Sequence, residues 1–321
     1  MTAERALVTG GCGFVGSHLC EQLLDAGTSV VALDNFATST LDTVARLLDR
    51  AGFDLVRHDV TEPLPALGSF DVVFHLASAA SPPDYLRLPI ETLRAGSLGT
   101  ANALEMAERN RARFVLASTS EVYGDPVVHP QPENYWGHVN PVGPRSVYDE
   151  AKRYAEALTM AFGRERGVNT GIARIFNTYG PWMRTDDGRM VPTFIAQALS
   201  DAPLTIAGTG QQTRSLCYVE DTVRGLLALA FTGHPGPVNI GNPEEVSVRR
   251  LAEEIREATG SRSTVRYVDG AIDDPKRRCP DISLARRELG WRPVISRADG
   301  LRRTIDWFAG RAAVSADEAR R

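Results

Sequence analysis

A strand-length apolar run at residues 6–8 leads directly into Thr-Gly-Gly-Cys-Gly-Phe-Val-Gly at 9–16, and an amphipathic helical pattern over 15–25 follows. Three glycines in a strand-to-helix turn constrain the fold more than any other feature of the chain. Gly10 permits the tight turn, Gly13 lets backbone approach a pyrophosphate, and Gly16 lets the helix pack close on the strand. The helix start at Phe14 and Val15 then faces the phosphates. The glycine pattern alone is a weak signal. A second apolar run, 30–33, ends in Asp34, 18 residues beyond Gly16, where a carboxylate accepts the adenosine ribose hydroxyls. No arginine follows Asp34 immediately, so the pattern predicts NAD rather than NADP.

The alternation continues through residue 175. Strands are predicted at 6–8, 30–33, 54–57, 72–76, 114–117 and 170–174, with helices at 15–25, 41–50, 89–109 and 147–166. Several strands are continuous apolar runs, as a parallel sheet covered on both faces requires. The predicted fold class is therefore α/β, with a doubly wound parallel (Rossmann) sheet over 1–175. Beyond Arg174 the texture changes: Gly, Pro and Thr become dense at 178–188. A helix at 191–199, strands at 204–206 and 238–240, and helices at 248–259 and 284–289 follow. We read 176–209 and 241–310 as a smaller, interleaved substrate-binding lobe, with 210–240 returning to the first domain and 311–321 as a frayed tail.

Composition sets outer limits. The 321 residues carry 36 Lys plus Arg against 40 Asp plus Glu, a net charge of −4. Coating a polyanion needs a basic surface, so a nucleic-acid partner is not expected. No run of eighteen apolar residues occurs, so no membrane partner is expected either. The strand at residue 6 is expected to leave no room for a signal peptide. Cysteines 12, 20, 217 and 279 show neither pairing nor metal-like spacing; they fit a cytoplasmic location and no metal. All the cations are arginine except Lys152 and Lys276.

Tyr148 and Lys152 stand four apart on the 147–166 helix and share a face. A free tyrosine, with a pKa of about 10, is a poor base at neutral pH. A nearby ammonium and the positive charge of a bound nicotinamide stabilise its phenolate, and the same lysine can hold the nicotinamide ribose. Further site residues are expected at the C-terminal end of a strand, where Thr119, Ser120 and Glu121 follow the 114–117 run. Thr119 can hydrogen-bond a sugar hydroxyl beside Tyr148. Glu121 is available for acid–base work or electrostatic control, or simply caps a helix start.

The stretches HLASAASPPDY (75–85), STSEVYGDPVVHPQPENYWGHVNPVGPRSVYDEAKRYAE (118–156), ARIFNTYGP (173–181) and DDGR (186–189) carry a resemblance, continued by QTRSLCYVED (211–220), NIGNPEE (239–245), DDPKRRCPDI (273–282) and LGW (289–291). Over residues 5–308 the chain resembles the extended short-chain dehydrogenase/reductases that act on nucleotide sugars, and most closely the branch that decarboxylates UDP-glucuronic acid. The resemblance implies oxidation at the sugar C4 by a recycled NAD, loss of CO2 from the 4-keto acid, and re-reduction to UDP-xylose. It implies roles for Glu121 and Arg278 in decarboxylation and proton transfer. Tyr85, Arg145, Asn177, Arg214 and Arg278 fall on the substrate side. Asn35, Thr38, Asp59, Val60, Leu76, Ser78, Thr178 and Arg189 join Asp34 and the glycine turn on the cofactor side. His75 reads as structural. A homodimer through the 89–109 and 147–166 helices is implied.

Sugar 4,6-dehydratases resemble this chain but carry Asp where Ser120 stands, and many 4-epimerases lack the Glu at 121. Both remain alternatives, as does a non-catalytic dinucleotide sensor, which would be expected to lose the Tyr–Lys pair. The chain departs from the family at Trp182 (usually Arg), Cys279 (usually Lys), Ala95-Gly96 (Thr-Asn), Ala207 (Tyr) and Leu216-Cys217 (Phe-Gln). These losses lead us to expect some 4-keto-pentose to escape before reduction, leaving NADH on the enzyme. Lys276 has no assigned role.

Overall fold

The computed structural model describes residues 3–270 and 277–318. Its centre is a seven-stranded sheet built from β1 (Arg5–Thr9), β2 (Ser29–Asp34), β3 (Phe53–Arg57), β4 (Val72–His75), β5 (Arg113–Thr119), β6 (Thr170–Ile175) and a seventh strand, Val238–Ile240. The spatial order is β3-β2-β1-β4-β5-β6 followed by Val238–Ile240, and every pair is parallel. The order reverses between β1 and β4, which opens a crevice at the C-terminal strand ends where ligands of such sheets lie. One face is covered by the helices Phe14–Asp25 and Val219–Thr232, the other by Thr100–Asn110 and Ser146–Arg166, giving two apolar cores back to back. This explains why β1, β4 and β5 are apolar almost throughout.

The strand Val238–Ile240 pairs with β6 in the register Val238↔Ala173, so the chain returns to the sheet after leaving it at residue 176. Above the strand ends sit three short two-stranded ribbons. They pair Leu204–Ala207 with Val265–Val268, Thr213–Ser215 with Glu245–Ser247, and Thr178–Tyr179 with Cys217–Tyr218.

Three expected elements differ. The 41–50 segment forms a 3-10 helix over Leu41–Leu47. The 89–109 helix is interrupted by a π-helical turn, Ala95–Gly99, between Pro89–Arg94 and Thr100–Asn110. Close packing explains the choice of small residues there. A Cβ on Gly96 would stand 2.7 Å from the Ala151 Cβ, and one on Gly99 would stand 2.8 Å from Val60. Finally, the last helix runs Arg297–Glu318 through most of the stretch expected to fray. Arg311 anchors it to Asp42 at 3.6 Å and stacks over Trp307. Residues 319–321 lie outside the described residues, as does Lys276.

Candidate active site

A cavity of about 600 Å³ runs from the glycine turn along the ends of β1, β4 and β5 and out under the small lobe to Val268. Its first wall is backbone. Gly10 has φ +71°, and a Cβ there would meet the Ala77 nitrogen at 2.7 Å. A Cβ on Gly16 would collide with the Gly10 carbonyl oxygen. Gly16 is thus required by the turn itself, a tighter constraint than helix–strand packing. Phe14 opens the helix whose first amides face the cavity.

Asp34, at the end of β2, is buried and already engaged. Its carboxylate accepts from the Cys12 amide at 3.0 Å, the Phe36 amide at 2.9 Å and the Ser39 hydroxyl at 2.8 Å. It ties the β2 loop to the glycine turn. Asn35 donates to Asp59 at 2.8 Å, and Val60 packs beneath Gly99. Asp34, Asn35, Asp59 and Val60 support the wall from behind, whereas Gly10, Gly13, Phe14, Val15, Gly16, Thr38, Leu76, Ser78, Thr178 and Arg189 line the cavity directly. The Ser78 hydroxyl and the Tyr85 hydroxyl are buried on this lining without a hydrogen-bond partner among the described residues. Unsatisfied polar atoms of this kind are uncommon in a folded interior and point to a ligand.

Tyr148 and Lys152 project from the helix Ser146–Arg166 into the middle of the cavity. The Tyr148 ring stacks on Tyr85 at 5.3 Å with only 7° between planes. Burial pushes the Tyr148 phenol up to about 12, the Thr119 hydrogen bond lowers it, and Glu121 adds to the rise. Of the two charges expected to favour phenolate, the lysine by itself does not offset this burial. Lys152 Nζ donates to the Ala117 carbonyl at 2.9 Å, and burial lowers its own pKa to about 8. Desolvation outweighs the spacing, so the phenolate needs a further positive charge in the cavity. His75 is structural, held between the Thr9 hydroxyl at 2.8 Å and the Thr100 hydroxyl at 3.2 Å. Burial, reinforced by Lys152, lowers it to about 3, so it stays neutral.

Glu121 sits between two guanidiniums. Arg145 Nη2 lies 2.7 Å from its Oε2, and Arg278 Nη1 binds its Oε1. Arg278 also donates to the Gly124 carbonyl at 2.9 Å and is only 3% exposed. Burial works against the Glu121 anion, but Arg278 and Arg145 overcome it and hold the carboxyl down at about 2. Glu121 is thus held as a carboxylate between its two guanidinium partners. It lines the cavity together with Thr119, Ser120, Tyr85, Arg145, Asn177 and Arg214, whereas Arg278 stands behind it.

Sequence reasoning missed two groups. Asp149, next to Tyr148, is 6% exposed, and its Oδ1 has no partner among the described residues. Burial and the Glu121 charge raise it to about 7. Its only sequence signal was a carboxylate in the first turn of a helix. Asp84 accepts from Ser81 at 2.7 Å and pairs with Arg184 at 2.8 Å across 100 residues. Both Asp84 and Arg184 line the cavity. Three of the family departures are filled by packing: Arg46 lies over the Trp182 ring, Trp307 meets that ring at a tilt of 56°, and Leu216 and Cys217 lie in the core.

The sheet, the reversal crevice and the backbone-lined phosphate turn define a dinucleotide-binding α/β enzyme. A family model described as the NAD dependent epimerase/dehydratase family matches residues 6–241. UDP-glucuronic acid decarboxylase 1 of Xenopus tropicalis is 50% identical over 95% of this chain and 72% of its own length. The Arabidopsis thaliana protein of the same name is 49% identical over 96% of this chain and 70% of its own. Among solved structures, UDP-glucose 4-epimerase of Thermotoga maritima superposes with a TM-score of 0.89 at 28% identity, over 96% of this chain and 99% of that one. A dTDP-glucose 4,6-dehydratase of Streptomyces venezuelae with NAD bound gives 0.88 at 28%, over 97% and 98%. The chain belongs to the NAD dependent epimerase/dehydratase family, the extended short-chain dehydrogenase/reductases.

Proposed function

We propose that the protein converts UDP-glucuronic acid to UDP-xylose and CO2 with a tightly bound, recycled NAD. The observation that carries this reading is Glu121 fixed as an anion between Arg278 and Arg145, beside the Tyr148 and Thr119 hydroxyls. The identity to the decarboxylases supports it. Ser120 supports it against a 4,6-dehydratase, because a hydroxyl has no acidity to protonate a departing C6 hydroxyl.

The cavity fits the cofactor. Gly10 and Gly16 leave no room for a Cβ at the turn, and Ser78 is an unsatisfied donor on the same wall. The turn would hold the pyrophosphate and Lys152 the nicotinamide ribose, with Asp34 exchanging one of its loop contacts for a ribose hydroxyl. When bound, NAD would supply the acceptor for the C4 hydride and, once reduced, the source of its return. Tyr148 accepts the O4 proton, its phenolate favoured once the nicotinamide charge is beside it. The resulting ketone is β to the carboxylate, so CO2 leaves and the electron pair becomes an enolate. Tyr148 and Thr119 then donate hydrogen bonds to that enolate oxygen, which stabilises charge where it develops. C5 takes a proton from water, and when C4 regains its hydride O4 takes back the proton held by Tyr148. Arg145 and Arg214 suit the diphosphate or the carboxylate, because a planar guanidinium binds two oxygens at once. Glu121 orients Arg278 and Arg145 rather than giving up a proton.

A homodimer in the cytosol accords with this reading. Leu86, Ile90, Leu93 and Leu98 leave apolar surface exposed on the 82–110 helices. No helix among the described residues is long and apolar enough to cross a membrane. The test is CO2 release from UDP-glucuronic acid by the NAD-loaded protein. Release with formation of UDP-xylose is expected, and none at saturating substrate overturns the reading. Product analysis alongside NADH absorbance separates full reduction from escape of the 4-keto-pentose.

A further inference from the structure

Beside the Arg278 segment, outside the cavity, three remote side chains converge. His129, Glu245 and Cys279 each present one donor atom, and the three atoms lie within 4.8 Å of one another. His129 Nε2 is 3.0 Å from Glu245 Oε2, although the two residues are 116 apart in sequence. None of the three lines the cavity.

We propose that His129, Glu245 and Cys279 form a binding site for a single zinc ion. Imidazole nitrogen, carboxylate oxygen and cysteine sulfur together are a donor set that zinc accepts and that magnesium or calcium, which prefer oxygen alone, do not. Zinc–ligand bonds of about 2.0–2.3 Å place tetrahedral ligand atoms roughly 3.5 Å apart. The three donor atoms, all within 4.8 Å of one another, are near that spacing, and the Cys279 thiol, which donates to the Pro243 carbonyl at 3.4 Å, would give up that bond to the ion. His129 is exposed, so an ion has a path in from solvent and a water can complete the fourth position.

The ligands are held by contacts that a metal does not need to create. Gln131 brackets Cys279: its side-chain oxygen accepts from the Cys279 amide at 2.8 Å, and its own amide donates to the Cys279 carbonyl at 2.9 Å. The Asp281 amide donates to the Gln131 carbonyl at 3.0 Å. These bonds fix the 129–131 loop against the 279–281 segment. Thr213 donates to Glu245 Oε1 at 2.6 Å, leaving Oε2 directed at His129. Outer contacts of this kind orient ligands and sustain metal affinity. The cysteine spacing in sequence gave no metal signal because each ligand comes from a different segment. Since Cys279 adjoins Arg278, a bound ion fastens the segment that presents Arg278 to Glu121. The site would do so whatever the cavity catalyses, so its test does not depend on the decarboxylase reading.

The experiment uses the full chain, stripped of metal and kept reduced, titrated with Co2+ as spectroscopic probe and then with Zn2+ in competition with a chromophoric chelator. One ion per chain is expected, with the thiolate-to-cobalt charge-transfer band and strong visible bands of tetrahedral coordination. Cys279→Ser abolishes that band, and His129→Ala, on an exposed loop, weakens Zn2+ binding at least about tenfold. A cobalt spectrum without the thiolate band overturns the site, as does a band that survives Cys279→Ser. If Cys279→Ser does not fold, His129→Ala decides alone, and unchanged zinc affinity overturns the proposal.

Discussion

The two ends of the cavity are built in opposite ways. The cofactor end is backbone: residues 10–16 supply amides and bare Cα positions, and the carboxylate behind them, Asp34, is shared among two amides and a hydroxyl. The sugar end is side chain: Glu121, the start of one helix (Arg145, Tyr148 and Lys152) and the remote Arg278 carry charges or protons into a buried space. A backbone site has no titrating group of its own and constrains the sequence chiefly where no Cβ fits. A site of buried charges works only while its charges balance, because each guanidinium or carboxylate left unpaired costs several kcal/mol.

Separating the two ends is the sharpest test of the contrast. Tyr148→Phe removes the hydroxyl that takes the O4 proton and leaves the glycine turn and Lys152 untouched. Turnover of UDP-glucuronic acid should fall by about 10²–10⁴-fold, the usual contribution of a positioned acid–base group. NAD affinity, measured by fluorescence quenching or calorimetry, should stay within a few-fold. A variant that loses both together would mean that the Tyr148–Tyr85 stack holds the cofactor end in place as well.

The same contrast explains what the sequence reveals. The turn at 9–16 and Asp34 could be read from spacing, because a backbone site needs glycine where no Cβ fits, and Gly10 and Gly16 are such places. The sheet could be read because strands buried on both faces are continuous apolar runs. Tyr148 and Lys152 could be read because a helix places i and i+4 together. Their electrostatics could not: spacing says nothing of burial, and burial drives Tyr148 up and Lys152 down. Arg278 was reached only through resemblance, since 157 residues separate it from Glu121. Asp149 was not reached at all, because a carboxylate in the first helical turn looks like an ordinary dipole partner. The break in the 89–109 helix likewise depends on which residue stands opposite Gly96, and that is tertiary information.

The charge balance itself is tested by Glu121→Gln, which leaves Arg278 buried and removes the carboxylate that the two guanidiniums share. Breaking a buried pair from one side costs about 3–5 kcal/mol, read from urea denaturation at pH 7. Glu121 is held at about 2, below its ordinary 4.5. Its stabilisation is therefore present above about pH 4.5 and is lost as pH falls through 2. The gap between the two proteins should close only in strong acid, with a smaller change between pH 5 and 8 as Asp149, relieved of the Glu121 charge, loses part of its upward shift. A loss well under 1 kcal/mol would show that water reaches the guanidiniums and that the end is less sealed than its burial implies.

The smallest expected effect discriminates most finely, because it concerns a group that the balance leaves out. Asp149 is raised to about 7 from an ordinary 3.8, chiefly by burial and then by the Glu121 charge. At pH 5 the native protein keeps this proton while the unfolded chain has released it. The favourable contribution of the bound proton is present below about pH 3.8 and is lost as pH rises through 7. Asn mimics the protonated carboxyl, so Asp149→Asn removes that pH dependence. Relative to the parent, the variant should gain stability between pH 5 and pH 8 by about 1–3 kcal/mol, since each tenfold difference in proton affinity between native and unfolded chain corresponds to about 1.4 kcal/mol. Urea midpoints at the two pH values measure it. A gap that does not widen would place Asp149 as an ordinary ionised carboxylate. The Arg145 and Arg278 charges would then outweigh Glu121 at that position, and Asp149 would itself be the second anion that balances the two guanidiniums.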